Sequence, residues 1–237
     1  MNPDPKAESY TGLHTNLLFY SILVLVMTGV ALIQKQIFWL AICSFIAFMF
    51  WVARYFITHK EISFPYGPAN AITLLRFFGL IAISIMHPSL PLFTTGFVLT
   101  VICLSDILDG YIARALNMSS IIGEYMDKET DALFVLLTSF ILFQRDFTGP
   151  WILSLGLIRY FYFIGIFFFL KPGQKEHKDP QARWIATFLF IAILSCFFIP
   201  YRFSFPILAG AALLLAYSFI KSALIATGWI RIPLDKT

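Results

Sequence analysis

Four aspartates fall within one short stretch, Asp106 to Asp131, which reads DILDGYIARALNMSSIIGEYMDKETD. Asp106 and Asp109 are three residues apart and Ala113 lies four further on, so one helix face carries two carboxylates and then a small residue. Gly123, Asp127 and Asp131 follow at i, i+4 and i+8, lining a second helix with a glycine and two acids. Apolar segments flank the stretch, VLTVICLS before it and ALFVLLTSFILF after it. Carboxylates are costly beside hydrocarbon, so four of them there demand a compensating cation or a function. A turn around Asn117 to Ile121 that folds the second helix back on the first puts both acidic stripes on one cleft, where unpaired carboxylates repel one another. A hard divalent cation resolves that conflict, because Mg²⁺ or Mn²⁺ prefers oxygen ligands and the stretch holds no Cys or His. Gly110, Ala113 and Gly123 carry little or no side chain, which lets a ligand approach the backbone. Gly123 also suits close helix packing, and the two roles are compatible.

Written out, the pattern is D-x-x-D-G-x-x-A-R, eight residues, then G-x-x-x-D-x-x-x-D. It resembles the signature of the CDP-alcohol phosphatidyltransferases, membrane enzymes that build phospholipid head groups, with Asp106, Asp109, Gly110, Ala113, Arg114, Gly123, Asp127 and Asp131 at the defining positions. The resemblance implies a six-helix membrane core over roughly residues 68 to 228 and leaves the first 60 or so outside it. It also implies an enzyme that moves a substituted phosphate group from a CDP-linked donor to an alcohol acceptor and releases CMP. In that reading two Mg²⁺ or Mn²⁺ ions sit on Asp106, Asp109 and Asp127, and Asp131 is the general base, with its contact to a metal left open. Gly110 and Ala113 border the cytidine, and Arg114 lies near the nucleotide or reaches out to lipid phosphates. Asn70 and Thr73, in GPANAITLLR, are similar to the family's first core helix and join the nucleotide-binding set. The second motif, GEYMDKETDALF, lacks the D-P-x-A-D-K run of many glycerophosphate-using relatives. The acceptor therefore stays open among glycerol phosphate, inositol, inositol phosphate, serine and other alcohols, and the donor is CDP-diacylglycerol or a soluble CDP-alcohol.

The elements that must position these residues follow from composition. The 237 residues are 59% hydrophobic and 13% charged, with a mean hydropathy of +0.81, which excludes an ordinary soluble domain. We expect an all-α polytopic membrane bundle of about eight spans. A segment of about 60 residues, comprising a polar tail and an accessory hairpin, precedes the six-helix core from 61 to 237. Residues 1 to about 16 are expected to be loose, because Pro3 and Pro5 resist a helix. The spacing predicts spans over Leu17 to Ile33, Ile37 to Ile57, Asn70 to His87, Leu92 to Ala115, Gly123 to Phe143, Trp151 to Leu170, Trp184 to Ile199 and Pro206 to Ile225. The polar break THKEISFPYGP, Thr58 to Pro68, separates accessory pair from core. Cys43, Cys103 and Cys196 sit in apolar segments without metal-ligand spacing, as small buried hydrophobes do.

Basic residues set the orientation. Most of the 17 Lys and Arg residues fall on the face of the acidic motifs, Arg54, Lys60, Arg76, Arg114, Lys128, Lys171, Arg183 and Lys221 among them, whereas the opposite face has only Lys35, Arg145 and Arg202. The positive-inside rule then makes the motifs and both termini cytoplasmic. Arg159 lies inside the sixth span, where it serves either an anionic acceptor in a polar cavity or a structural ion pair. The loop with Lys171 and Arg183 reads as a lipid-attracted basic face or as a docking surface for a phosphorylated acceptor. The expected partners are the nucleotide-linked donor, the alcohol acceptor, the bilayer and a second copy in a homodimer, with no nucleic acid. Two rival readings are an intramembrane prenyltransferase using Mg²⁺ and a prenyl diphosphate, and a cation transporter. The prenyltransferases carry their acidic motifs on helices far apart in sequence, and a transporter of this kind uses broken helix pairs that the chain does not show.

Overall fold

Apolar segments in lipid have no water for their backbone polar groups, so they satisfy them internally as helices. A computed structural model of the chain describes residues 5–58, 68–115, 121–169 and 180–226, with side chains left out at 5–15, 55–58, 68–70, 107–115 and a few other helix positions. Among the described residues the chain is all helical, without strands. The order is α1 (Pro5–Gln34), α2 (Ile37–Thr58), α3 (Pro68–Met86), α4 (Leu92–Ala115), α5 (Ile121–Gln144), α6 (Leu153–Phe169), α7 (Pro180–Ser195) and α8 (Tyr201–Ala226). Among the described residues, four stretches are long and apolar enough to cross a membrane: Asn16–Gln34, Ile37–Arg54, Ala71–Ser89 and Tyr201–Ile225. Shorter apolar stretches cover Leu92–Asp106, Pro150–Gly165 and Gln181–Ser195, while α5 carries the second acidic motif at its start. The chain is an integral membrane protein.

Three helices start well ahead of the expected spans, α1 at Pro5, α7 at Pro180 rather than Trp184 and α8 at Tyr201 rather than Pro206, and proline bears on each. The segment up to residue 16 was expected to be loose, but α1 begins at Pro5. Proline in a first helical turn gives up an N–H that has no intrahelical partner there, and Pro68 and Pro180 open α3 and α7 in the same way. The last helix begins at Tyr201, ahead of Pro206, which therefore lies inside it. The Pro200 carbonyl accepts the N–H groups of Phe203 at 2.9 Å and Ser204 at 3.2 Å, so the helix is already under way before Pro206 removes one later bond.

Helix α5 is the centre of the bundle. Every residue from 132 to 142 is buried, which a helix apolar on all sides achieves only when other helices surround it. It packs against α2, α3, α6 and α7. Gly156 brings α6 in closely: a Cβ at that position would lie 2.4 Å from the Leu136 Cα. The accessory hairpin shares this apolar core, with α1 on α6 and α2 on α3. Phe48 stacks on Phe77 at a centroid distance of 4.2 Å, and the Tyr20 ring lies 6.4 Å from that of Tyr160. The expected boundary at residues 60 and 61 lies outside the described residues. Outward faces are apolar, as the exposed α4 stripe of Phe93, Phe97, Val101 and Leu104 shows.

One end of the bundle is stitched by side chains. Gln144 donates to the Lys35 carbonyl at 2.8 Å and meets His87 Nε2 at 3.0 Å. Arg145 donates to the carbonyls of His87 and Leu90, the latter at 2.6 Å. These contacts join the turns after α1, α3 and α5. The acidic residues lie at the other end, late in α4 and early in α5.

Candidate active site

Three helices build the site. Helix α4 contributes Asp106 and α5 contributes Asp127 and Asp131, whose i, i+4 spacing puts them on one face. Ligand oxygens of Asp106, Asp127 and Asp131 all lie within 4.8 Å of one another. The third helix, α3, inserts Arg76 among them. Its Nη1 donates to Asp106 Oδ1 at 2.5 Å and to Asp127 Oδ1 at 3.0 Å, and its Nη2 donates to Asp131 Oδ1 at 2.8 Å. The Arg76 side chain is only 2% exposed, against 39%, 43% and 32% for Asp106, Asp127 and Asp131. A buried guanidinium thus lies beneath a rim of partly exposed carboxylates. Guanidinium stays protonated and offers a planar fork of donors, which is why one arginine can bind three acids from two other helices.

The remaining sequence candidates take different places. Thr73 is buried on α3, one turn before Arg76, and Gly123 is half-buried on α5, one turn before Asp127. Asp109, Gly110, Ala113 and Arg114 lie on the helical backbone of α4 and Asn70 on that of α3, with their side chains outside the described residues. Lys171 is outside the described residues altogether. Arg183 is exposed in the first turn of α7 and, among the described residues, makes no ion pair with the three aspartates.

Arg159 belongs to a second polar group. Its Nη2 donates to Glu129 Oε1 at 2.6 Å. Glu129 lies two residues from both Asp127 and Asp131, which turns it to the opposite side of α5, and its side chain is 5% exposed. Tyr160, buried beside Arg159 on α6, meets Tyr20 of the accessory hairpin. The residues that the sequence reading passed over are Arg76 and Glu129. For Arg76 the signal was available: an arginine within ANAITLLRFFGL is too costly in an apolar span to serve only as a topology marker.

The family model for CDP-alcohol phosphatidyltransferases matches residues 66–221, from just ahead of α3 into the last turns of α8. The chain belongs to the CDP-alcohol phosphatidyltransferase family. No curated protein and no solved structure matches it. The CDP-alcohol phosphatidyltransferases are membrane transferases of phospholipid biosynthesis that move a phosphate group from a CDP-alcohol to an alcohol, generally with divalent metals. The described donors fit such an ion: three convergent carboxylates, all hard oxygen and only partly buried. The match leaves α1 and α2 outside the family's extent.

Proposed function

We infer that this protein transfers a substituted phosphate group from CDP-diacylglycerol to the hydroxyl of an alcohol acceptor and releases CMP. The observation that carries this reading is the meeting of Asp106, Asp127 and Asp131 within 4.8 Å, from two helices and in the family's motif. Asp106, Asp109 and Asp127, with Asp131 beside them, would hold two Mg²⁺ or Mn²⁺ ions. Bound there, such ions neutralise a diphosphate and make its phosphorus electrophilic.

The chain's own residues do the rest. Asp131 is the least exposed of the three acids and lies one turn beyond Asp127 along α5. It accepts the proton of the acceptor hydroxyl as that oxygen forms its bond to phosphorus and the bond to the departing CMP breaks. Gly110, Ala113 and Gly123 leave room for the nucleotide, which Asn70, Thr73 and Arg114 help to hold. The ion pair with Glu129 supports the structural role for Arg159 over the acceptor-binding one. Lys171 and Arg183 stay in the proposal as the surface that attracts an anionic acceptor.

All eight described helices cross the membrane in this reading, with the acidic end cytoplasmic. The support is the arrangement of charge. Arg54 near the end of α2, Arg183 at the start of α7 and Lys221 near the end of α8 share the acidic end, and Lys221 donates to Gln181 at 2.9 Å. Lys35 and Arg145 belong to the stitched end. The experiment is CMP release from labelled CDP-diacylglycerol by the purified protein, with Mg²⁺ or Mn²⁺ and a panel of alcohol acceptors. Acceptor-dependent CMP release is the expected result. Turnover of a prenyl diphosphate, or ion flux without CMP, would overturn the reading.

A further inference from the structure

We propose that Arg76 is the resident counter-cation of the acidic site: it occupies the carboxylate oxygens that a divalent cation needs, and so sets divalent affinity as well as the stability of the metal-free protein. This inference rests on the reading of the aspartates as metal ligands. Its starting point is that one buried guanidinium makes charge-assisted contacts to one oxygen of each of three carboxylates, at 2.5, 3.0 and 2.8 Å. Arginine cannot shed its charge inside the protein, so its burial on α3 is tolerable only because the acids of α4 and α5 surround it.

The converse holds for the acids. Among the described residues three carboxylates meet one guanidinium, which leaves that group net negative, and the three acid side chains stay partly exposed. The cluster therefore still attracts a divalent cation, but any ion that takes the Oδ1 atoms of Asp106, Asp127 and Asp131 competes with Arg76 for them. Two cations competing for one set of oxygens are negatively coupled, typically by about 5- to 150-fold in affinity. Arg76 also acts from a third helix. Before any ion is held, it is the group that ties α3 to the acidic faces of α4 and α5, which makes it a positioning residue.

The sign of one measurement separates this from a purely structural staple. If Arg76 only braces the site, removing it scatters the carboxylates and weakens metal binding. If it competes for them, removing it strengthens metal binding while the metal-free protein loses stability. The test is Mn²⁺ binding to the purified full chain, followed by the electron paramagnetic resonance of free Mn²⁺, with thermal unfolding in chelator alongside. Arg76→Gln should bind Mn²⁺ about tenfold more tightly than wild type, within the range expected of such coupling. Its Tm in chelator should fall, and Mn²⁺ should restore more of it than Mn²⁺ adds to wild type. Arg76→Lys keeps the charge without the fork and should fall between the two. Should Arg76→Gln fail to fold, Arg76→Lys decides alone. Unchanged or weaker Mn²⁺ binding in the folded variants, with wild type binding normally, overturns the role of Arg76 only. No Mn²⁺ binding by wild type overturns the metal reading and this inference with it.

Discussion

Asp131→Asn removes a charge and almost nothing else, so its consequences can be worked from distances. Asp131 faces the Arg76 guanidinium at 2.8 Å, an attraction of about 6 kcal/mol at an effective dielectric of about 20. It also faces Asp106 and Asp127 with ligand oxygens no more than 4.8 Å away, each a repulsion of about 3.5 kcal/mol or more on the same scale. The two relieved repulsions at least offset the lost attraction, and the asparagine carbonyl still accepts from Nη2. Metal-free stability should therefore fall by no more than about 1 kcal/mol, the size of an ordinary neutral hydrogen bond. Catalysis has no such compensation, because an amide cannot take the acceptor's proton. We expect kcat for CMP release to fall by about 10²- to 10⁴-fold, the usual contribution of a general base. Nucleotide binding should be largely retained, and Mn²⁺ binding in substantial part, because the other aspartates still supply carboxylate oxygens. The assay is initial-rate CMP release at saturating donor, paired with thermal unfolding in chelator. A kcat within tenfold of wild type would refute the proton-transfer role, and a large loss of Tm would refute the charge accounting.

Three further variants probe the rest of the arrangement. Asp109→Asn should abolish turnover while the protein still inserts in the membrane and purifies as wild type does; wild-type CMP release would contradict its place among the metal ligands. Glu129→Gln breaks the buried pair with Arg159 and should cost about 3 kcal/mol, the low end for a broken buried pair because Arg159 keeps 29% exposure. A Glu129→Leu, Arg159→Met double variant should recover much of that loss in thermal unfolding, and failure to recover would show that the pair is not the source of the cost. Gly156→Val forces a side chain into the Leu136 backbone, where even a Cβ would come within 2.4 Å, so it should destabilise by about 3 kcal/mol or more. An unchanged Tm would mean that α6 can withdraw from α5 freely.

Short spacing and bulk transfer energy are legible along the chain without any packing. Long apolar runs have to be membrane helices, and a period of 3.6 residues places Asp127 and Asp131 on one face and Asp106 and Asp109 on another. Motif and family could be read at that level, because eight positions within one short stretch need no knowledge of how helices pack. Helices α1 and α8 start earlier than the apolar runs suggest, because Pro5 lacks an N–H that has no partner in a first turn, whereas Pro206 gives up one bond of a helix already under way.

Which charges meet across helices depends on packing. Arg76 stands 30 residues before Asp106 and 55 before Asp131 and binds both. Its place inside an apolar span marked it as a charge in need of partners, but nothing in one dimension said which acids those are. Glu129 reads as one more acid of the motif, yet the helical turn sends it away from Asp127 and Asp131 to Arg159 on α6. Helix periodicity says which way a side chain leaves its own axis; only packing says what waits there, because a buried charge is settled by partners that the chain brings from far along its length.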